Sequence, residues 1–531
     1  MQLANAKNDA VATSTVASPA ALRTINRSLS LIEQNEELLL QDWAEGLLPP
    51  AGALRGMIPA CPADRLGDPD FCRAHNIRYP YVGGSMAKGI SSVAMVKELG
   101  KAGMLGFFGA AGLLLEQVED AIDQLQSEGN DFSFGCNLIH SPNEPDLEKS
   151  LVELYLRKEI RLIEASAFLA LTLPVVRYRT HGIYRDASGD IVTPNKIIAK
   201  ISREEVAARF FAPPPDKHLR ELVACGDLSE EQAELARQIP MAQDVTVEAD
   251  SGGHTDNRPA LALFPTIQAQ KETFQQQHNY PHPLRIGLGG GIATPSSAVA
   301  AFSMGAAYLV TGTINQACVE SGTCDTVRAM LADTRQADIT MAPSGDMFEM
   351  GVKVQVVKRG TMFAIRAGKL YELYRAYDSI EALPTAEREK LEKTLFHAPL
   401  VTIWEQTRSY FARRDPRQVE KAETDPKYKL ALVFRWYLGQ SPVWANQGDA
   451  ARKIDYQIWC GPAMGAFNEW ARGSFLEKPE NRRVVTLAMN ILFGAAVLVR
   501  ANQYRQQGGT IEVGSALTPP LTDEQIKEFL S

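Results

Sequence analysis

RIGLGGGIATPSSAVAAFSMGAAYLVTGT, residues 285–313, decides the fold. A short apolar run, RIGLGGGI (285–292), gives way to a helix-period segment (295–304), and a second apolar run follows, AYLVTGT (307–313). Two strands joined through a helix make a βαβ unit and hence a parallel pair. Working upstream, the same alternation recurs as far as Tyr79. The runs are YPYVGG (79–84), GMLGFFGA (103–110), DFSFGCNLI (131–139), IRLIEASAF (160–168), KIIAKIS (196–202) and DVTVEAD (244–250). Helix-period segments lie between them at 91–102, 113–129, 146–158 and 260–277. Eight such units close a (β/α)8 barrel of about 250 residues. The expectation is therefore an α/β TIM barrel over residues 76–340.

Two irregularities interrupt the repeat. IYRDASGDIVTP (183–194) reads as a hairpin ahead of the fifth strand. After that strand comes a helical insertion at about 203–240, with PPP at 213–215 and LSEEQAELARQI at 228–239. Outside the barrel, residues 1–75 read as an extension: a Ser/Ala/Thr-rich, mobile start, an amphipathic stretch at 32–48 and a Pro/Gly-rich linker. Residues 341–531 read as a mainly helical substrate or cap domain. It holds five of the six tryptophans, Trp404, Trp436, Trp444, Trp459 and Trp470. Such a concentration fits a packed core or the wall of a pocket for a long apolar substrate, and composition leaves both open.

Composition narrows the class. The 531 residues carry 55 Lys+Arg against 63 Asp+Glu, a net charge of −8, which argues against a nucleic-acid partner. The apolar stretch at 491–499 is shorter than the roughly 18 residues a membrane span needs. The N-terminus lacks a signal-peptide core. A cytoplasmic protein is expected. The seven cysteines are an odd, scattered set with no C-x-x-C, as reduced thiols are. Cys61, Cys72 and His75 match no common zinc spacing, so no metal is assigned.

In a TIM barrel the site lies at the carboxyl ends of the strands. Glycines and polar residues collect there: Gly84-Ser85-Met86 after the first strand, Gly109 after the second and Asn137 in the third. Ser251-Gly252-Gly253-His254 follows the sixth, Gly289-Gly290-Gly291 the seventh and Gly312-Thr313 the eighth. One glycine turn often only relieves backbone strain, whereas a set in the same topological position favours a ligand that the backbone approaches closely. The turns after strands seven and eight are the common phosphate site of these barrels. GLGGGI lacks the third glycine of a dinucleotide fingerprint, because residue 292 is Ile. A mononucleotide phosphate suits it better. His254, after two glycines, is the candidate acid/base. Lys200, in the fifth strand, faces a ligand's negative charge, pairs with a carboxylate such as Glu164 or Glu248, or does both.

YPYVGGSMA, GMLGFFGA, FGCNL, ADSGGH and GLGGGI…GAAYLVTGT together resemble the FMN-dependent nitronate monooxygenase (2-nitropropane dioxygenase-like) superfamily, which includes flavin enoyl reductases. SGGH (251–254) is the most specific element. VFRWYLGQSPVW (433–444) and IWCGPAMGAFNEWARGSFL (458–476) extend the resemblance over nearly the whole chain, to the PfaD-type enoyl reductases that act in trans on polyunsaturated fatty acid and polyketide synthases. The resemblance implies FMN, with NADPH as hydride donor. It implies a trans-2-enoyl thioester on an acyl carrier protein as substrate, with hydride reaching the β-carbon and a proton the α-carbon. By position, Gly84, Ser85, Met86, Asn137, Lys200, Ser251, Gly252, Gly253, Gly289, Gly290, Gly291, Gly312 and Thr313 would hold FMN. His254 would be the active-site histidine, as proton donor or as the group that positions the thioester. Similar enzymes suggest a homodimer. The insertion and the helical domain would shape an acyl tunnel or a carrier-protein dock. The competing readings are a nitronate monooxygenase on the same fold, a flavin-free barrel for a phosphorylated metabolite, and a non-catalytic scaffold of a synthase complex.

Overall fold

Eight short parallel strands pair in chain order and close on themselves. They are β1 (Tyr81–Gly83), β2 (Leu105–Phe108), β3 (Phe134–Ile139), β4 (Leu162–Ser166), β5 (Lys196–Ile201), β6 (Asp244–Glu248), β7 (Arg285–Gly289) and β8 (Leu309–Thr311). β8 returns to β1 through Leu309↔Tyr81 and Thr311↔Gly83. Each strand falls on one of the apolar runs read from the sequence, and the fold is the expected TIM barrel. The computed structural model describes residues 16–17, 19–34, 37–42, 54–129, 132–142, 144–511 and 517–530.

Barrel strands are covered on both faces, by helices outside and by their own side chains inside, so they show no polar/apolar alternation. β6 and β7 are accordingly buried at every position. Glycines inside the strands make room for rings. A Cβ on Gly287 would lie 2.3 Å from the Tyr308 ring, and one on Gly135 would lie 2.3 Å from Phe107. The amino end of the barrel is closed by charge. Asp244, the first residue of β6, accepts from Arg285 Nε at 2.6 Å and Nη2 at 3.0 Å, and meets His75 Nε2 at 2.9 Å. Burial pushes the Asp244 carboxyl up, but His75 and Arg285 outweigh it and hold it well below the usual carboxylate range. His75 is thus engaged by Asp244.

The hairpin ahead of β5 pairs Tyr184–Arg185 with Ile191–Val192. The insertion after β5 consists of three helices, Glu204–Phe211, Asp216–Ala224 and Glu230–Ala236. Beyond the barrel an antiparallel hairpin, β9 (Ile339–Pro343) and β10 (Lys353–Val357), leads into helices that include Phe363–Ala376, Leu400–Arg414, Pro426–Gln447 and Ala463–Ala471. Their apolar core includes Phe363, Leu370, Phe396, Val433, Phe434 and Tyr437, and Trp404, Trp436, Trp444 and Trp459 pack against it partly buried. Most of the tryptophan concentration is therefore helical core.

By contacts the chain divides into two compact units. Residues 67–293 and 301–485 form one; residues 1–66, 294–300 and 486–531 form the other. In the second unit, Leu29–Gln34 is the central strand of a three-stranded antiparallel sheet, between Glu37–Asp42 and Leu54–Ile58. The described part of the amphipathic stretch is therefore strand. Its remainder, and the Ser/Ala/Thr-rich start before residue 16, lie outside the described residues. The apolar run 491–499 is the middle of a longer helix, Val484–Gln506. That helix is long and apolar enough to cross a membrane by length and composition, yet 78% of its apolar window is buried inside the fold.

Candidate active site

At the carboxyl ends of the strands the barrel opens into a cleft with about 1200 Å³ of empty space, counting its open mouth. Lys200, His254 and the strand-end residues singled out from the sequence line it, Gly109 excepted. Gly84, Ser85 and Met86 come from the turn after β1, Asn137 from β3 and Lys200 from β5. Ser251, Gly252, Gly253 and His254 come from the turn after β6, Gly289, Gly290 and Gly291 from the end of β7, and Gly312 and Thr313 from the turn after β8. The three insertion helices contribute no lining residue among the described residues.

The polar floor is one connected group. Lys200 Nζ lies 3.1 Å from Glu248 Oε1 at the end of β6. Burial pulls the Lys200 ammonium down, but Glu248 and Glu164 outweigh it and the net shift is upward, so Lys200 is a cation at any ordinary pH. Glu164, fully buried in β4, accepts from the Ser85 backbone N–H at 2.8 Å and from the Ser85 hydroxyl. Burial pushes its carboxyl up, against the opposing pull of Lys200 and Ser85. Both carboxylate partners considered for Lys200 are therefore present, and one of them also anchors the turn after β1. Asn137 Nδ2 donates to Glu164 O at 3.1 Å and Ser166 Oγ at 3.0 Å, which sets its amide facing the floor. Gly109 is glycine for space, since a Cβ there would lie 1.8 Å from Met86 O.

On another wall, consecutive Gly290 and Gly291 adopt left-handed φ values of 83° and 77°, which L side chains rarely take. No heavy atom lies within 4 Å of the Gly291 Cβ position, and only Met86 approaches that of Gly312, at 3.9 Å. Among the described residues the backbone amides of Gly290, Gly291, Gly312 and Thr313 have no protein acceptor. Four N–H donors without a protein acceptor, on two adjacent turns, suit an anion.

The turn after β6 is clamped from several sides. Gln355 on β10 donates to Asp250 Oδ1 at 2.6 Å and Asn257 Oδ1 at 3.2 Å, and Arg203 holds Asp256 with two bonds of 2.7 and 2.9 Å. Ser251 Oγ donates to Glu248 Oε1 at 3.1 Å, and the Gly253 amide donates to Ser251 Oγ at 3.3 Å. His254 Nε2 lies 3.1 Å from both Asp346 Oδ1 and Ser344 Oγ. Burial pulls the imidazole down, but the Asp346 carboxylate more than offsets it, and the net shift is upward from the ordinary value. His254 Nδ1 has no partner among the described residues.

Sequence reasoning did not place Ser344, Asp346, Val354 or Gly461 at the site, and it left Trp459 open between helical core and pocket wall. Val354, Trp459, Gly461 and Ala463 line the cleft from beyond the barrel. The strap Cys460–Gly461 runs backbone to backbone with Ser251–Gly252: a Cβ on Gly252 would lie 3.0 Å from Cys460 N, and one on Gly461 would lie 3.1 Å from Gly252 N. The Gly461 amide also donates to Thr313 Oγ1 at 3.3 Å. The CGPAMG run was the available signal, since glycines flanking a proline mark a tight, close-packed turn. Asp346 sits 92 residues from His254 and had none. No cluster of three or more His, Cys, Asp or Glu suited to a metal occurs among the described residues.

Comparison with known proteins completes the picture. The inserted helical domain of [acyl-carrier-protein] S-malonyltransferases matches residues 377–456, within the post-barrel helices. The chain is 47% identical over 456 residues to a component of the polyunsaturated fatty acid synthase of Thraustochytrium sp., covering 85% of this chain and 30% of that protein. It is 43% identical over 438 residues to the polyketide biosynthesis protein PksE of Bacillus subtilis, covering 82% of this chain and 57% of that protein. The chain thus spans about a third to just over half the length of these relatives. Among solved structures, the enoyl reductase domain of MlnA, from the macrolactin biosynthesis cluster of Bacillus amyloliquefaciens, superposes with a TM-score of 0.80 at 39% identity. The match covers 84% of this chain and all of that one.

Proposed function

The chain belongs to the PfaD-type enoyl reductase family of polyunsaturated fatty acid and polyketide synthases, and from that premise we propose that it is an FMN-dependent enoyl reductase acting in trans. Its substrate is a trans-2-enoyl thioester on an acyl carrier protein, and NADPH is the hydride source. One observation carries the reading: backbone amides suited to an anion, a buried lysine cation and a histidine paired to a carboxylate converge on one cleft at the carboxyl end of the barrel.

The residues present fit FMN. The free amides of Gly290, Gly291, Gly312 and Thr313 suit its phosphate, which backbone N–H donors bind without any side chain. Lys200 suits the pyrimidine edge of the ring, where a fixed cation favours negative charge. Gly84, Ser85, Met86, Asn137, Ser251, Gly252, Gly253 and Gly289 line the same cleft. When bound, FMN would supply hydride transfer from NADPH to the β-carbon of the enoyl chain. The protein's own task is the other half of the reduction. His254, whose imidazolium form Asp346 favours, donates a proton from Nδ1 to the α-carbon, where negative charge would otherwise build up beside the thioester carbonyl. Trp459, Val354 and Ile139 give the cleft apolar walls that keep water from competing for that position.

The test is anaerobic NADPH oxidation by the purified yellow protein with crotonyl thioester as acceptor, beside an aerobic assay with an alkyl nitronate. Fast oxidation with the thioester and negligible oxygen uptake with the nitronate are expected. The reverse pattern would replace the reading with a nitronate monooxygenase. A protein that stays colourless after incubation with FMN would remove the cofactor assignment altogether.

A further inference from the structure

Asp346 belongs to neither barrel nor insertion. It sits in the turn between β9 and β10, and that turn is tightly held. The Ser344 amide donates to Val352 O at 2.9 Å, closing the hairpin end. Arg435, from helix Pro426–Gln447, donates through Nε to Gly345 O at 2.9 Å and through Nη1 to Glu349 at 3.1 Å. A Cβ on Gly345 would lie 3.2 Å from Leu438 Cβ on the same helix. The Ser344 hydroxyl donates to Asp346 Oδ1, which aims that oxygen at the imidazole.

The hairpin therefore grips the turn after β6 at two levels. Strand β10 holds the turn's ends through Gln355, and the hairpin tip holds the His254 ring itself. A purely structural clamp would need only the first grip. The second one occupies Nε2 and leaves Nδ1 for whatever enters the cleft. The charged groups facing His254 are Asp346 from the hairpin, Glu248 from β6 and Lys200 from β5, and Asp346 has the strongest effect of the three.

We propose that Asp346, with Ser344, is the positioning residue of the proton-donating step: it fixes the His254 ring with Nε2–H engaged and keeps Nδ1–H as the donor. The proposal rests on the enoyl reductase reading for its reaction, though not for its geometry. The step balances simply. The Nδ1–H bond breaks, the proton joins the α-carbon as its C–H bond forms, and the neutral imidazole retains Nε2–H on Asp346 until Nδ1 takes a proton from solvent after product leaves.

The experiment compares wild type, Asp346→Asn, Asp346→Glu and Ser344→Ala as FMN-loaded full chains. Reduction by NADPH and reoxidation by crotonyl thioester are followed as separate anaerobic half-reactions, and the His254 ring is titrated by NMR. In Asp346→Asn, reoxidation should fall by about 10- to 100-fold at neutral pH, within the range for loss of part of an acid–base contribution. The alkaline limb of its pH profile should move to lower pH, and the NMR titration of His254 should move with it. Substrate affinity and the NADPH half-reaction are the internal references. Asp346→Glu should recover much of the rate, and Ser344→Ala should shift the limb by less. The proposal is overturned if the limb and the imidazole titration stay in place, or if both half-reactions fall together with FMN content, as a clamp role predicts. Should wild type fail to turn over enoyl thioester, the reductase reading falls, while the NMR titration still decides whether Asp346 holds the ring.

Discussion

Replacing Lys200 with methionine removes the cation that faces two carboxylates in the cleft floor. The Nζ–Oε1 separation to Glu248 is 3.1 Å. At an effective dielectric of about 20 such a pair is worth about 5 kcal/mol in Coulomb energy before desolvation. Breaking a buried pair by removing one partner costs roughly 3–5 kcal/mol, because the remaining charge is left stranded. Here two are stranded, Glu248 and the fully buried Glu164. Glu248→Gln should be milder, since Lys200 then still faces Glu164. The double variant Lys200→Met/Glu248→Gln should recover about 1–3 kcal/mol of the loss, as coupled neighbours do. The pH dependence has a definite sign. With the cation gone, the largest pull against burial at Glu164 is lost and its carboxyl titrates further above its unfolded value of about 4.3, so the folded state binds protons more readily than the unfolded one. The stability of Lys200→Met therefore rises as pH falls through that raised pKa. Chemical denaturation of the four proteins at pH 5 and pH 8, with FMN affinity measured in parallel, reads all of this. Additive losses across the cycle, or a Lys200→Met variant no more pH-sensitive than wild type, would refute the argument.

Three further outcomes are expected. Gly109→Ala puts a methyl 1.8 Å from Met86 O; the turn after β1 must move, and FMN affinity measured by fluorescence should drop by about 10-fold, on the 1–3 kcal/mol scale of overpacking. In His254→Gln, reoxidation by enoyl thioester should slow by about 100-fold or more, with NADPH-driven flavin reduction retained in stopped flow; equal loss of both would make His254 structural. Asp244→Asn opens the amino end of the barrel by unpairing Arg285 and His75, at a cost of roughly 3–5 kcal/mol at pH 7. Because the Asp244 carboxyl is held below its usual range, its contribution is complete above the unfolded pKa of about 3.9 and is lost as pH falls toward the folded value. The melting temperature of Asp244→Asn should thus change less than that of wild type between pH 5 and pH 3 (about one unit either side of that unfolded pKa).

The barrel was legible because each of its strands is buried on both faces and ends in a turn of glycine and small polar residues. The site followed, since a parallel barrel puts those turns at one end, and Gly84, His254, Gly290 and Gly312 meet there although more than 200 residues separate the first from the last. The elements that depend on tertiary partners were harder to read. ELLLQD (37–42) has no clean alternation, and its identity as a strand comes from pairing with Leu29–Gln34. Helix Val484–Gln506 showed only nine unbroken apolar residues because Thr486, Asn490 and Arg500 interrupt it. Each of these finds a partner inside the fold: Thr486 in Asp523 at 3.0 Å, Asn490 in Leu521 O at 2.8 Å and Arg500, through Nη1, in Thr24 O. Asp346 was invisible for the same reason. An aspartate in a PSGD turn reads as turn chemistry, and only the closure of a hairpin over the barrel turns it toward a histidine.

The most direct measurement of the central claim is one anaerobic mix: photochemically reduced, FMN-loaded protein against crotonyl thioester on an acyl carrier protein, followed at the flavin absorbance. The account predicts return of the oxidised spectrum with one butyryl thioester formed per flavin. A reduced spectrum that persists with the thioester and returns only when oxygen or a nitronate is admitted would contradict it.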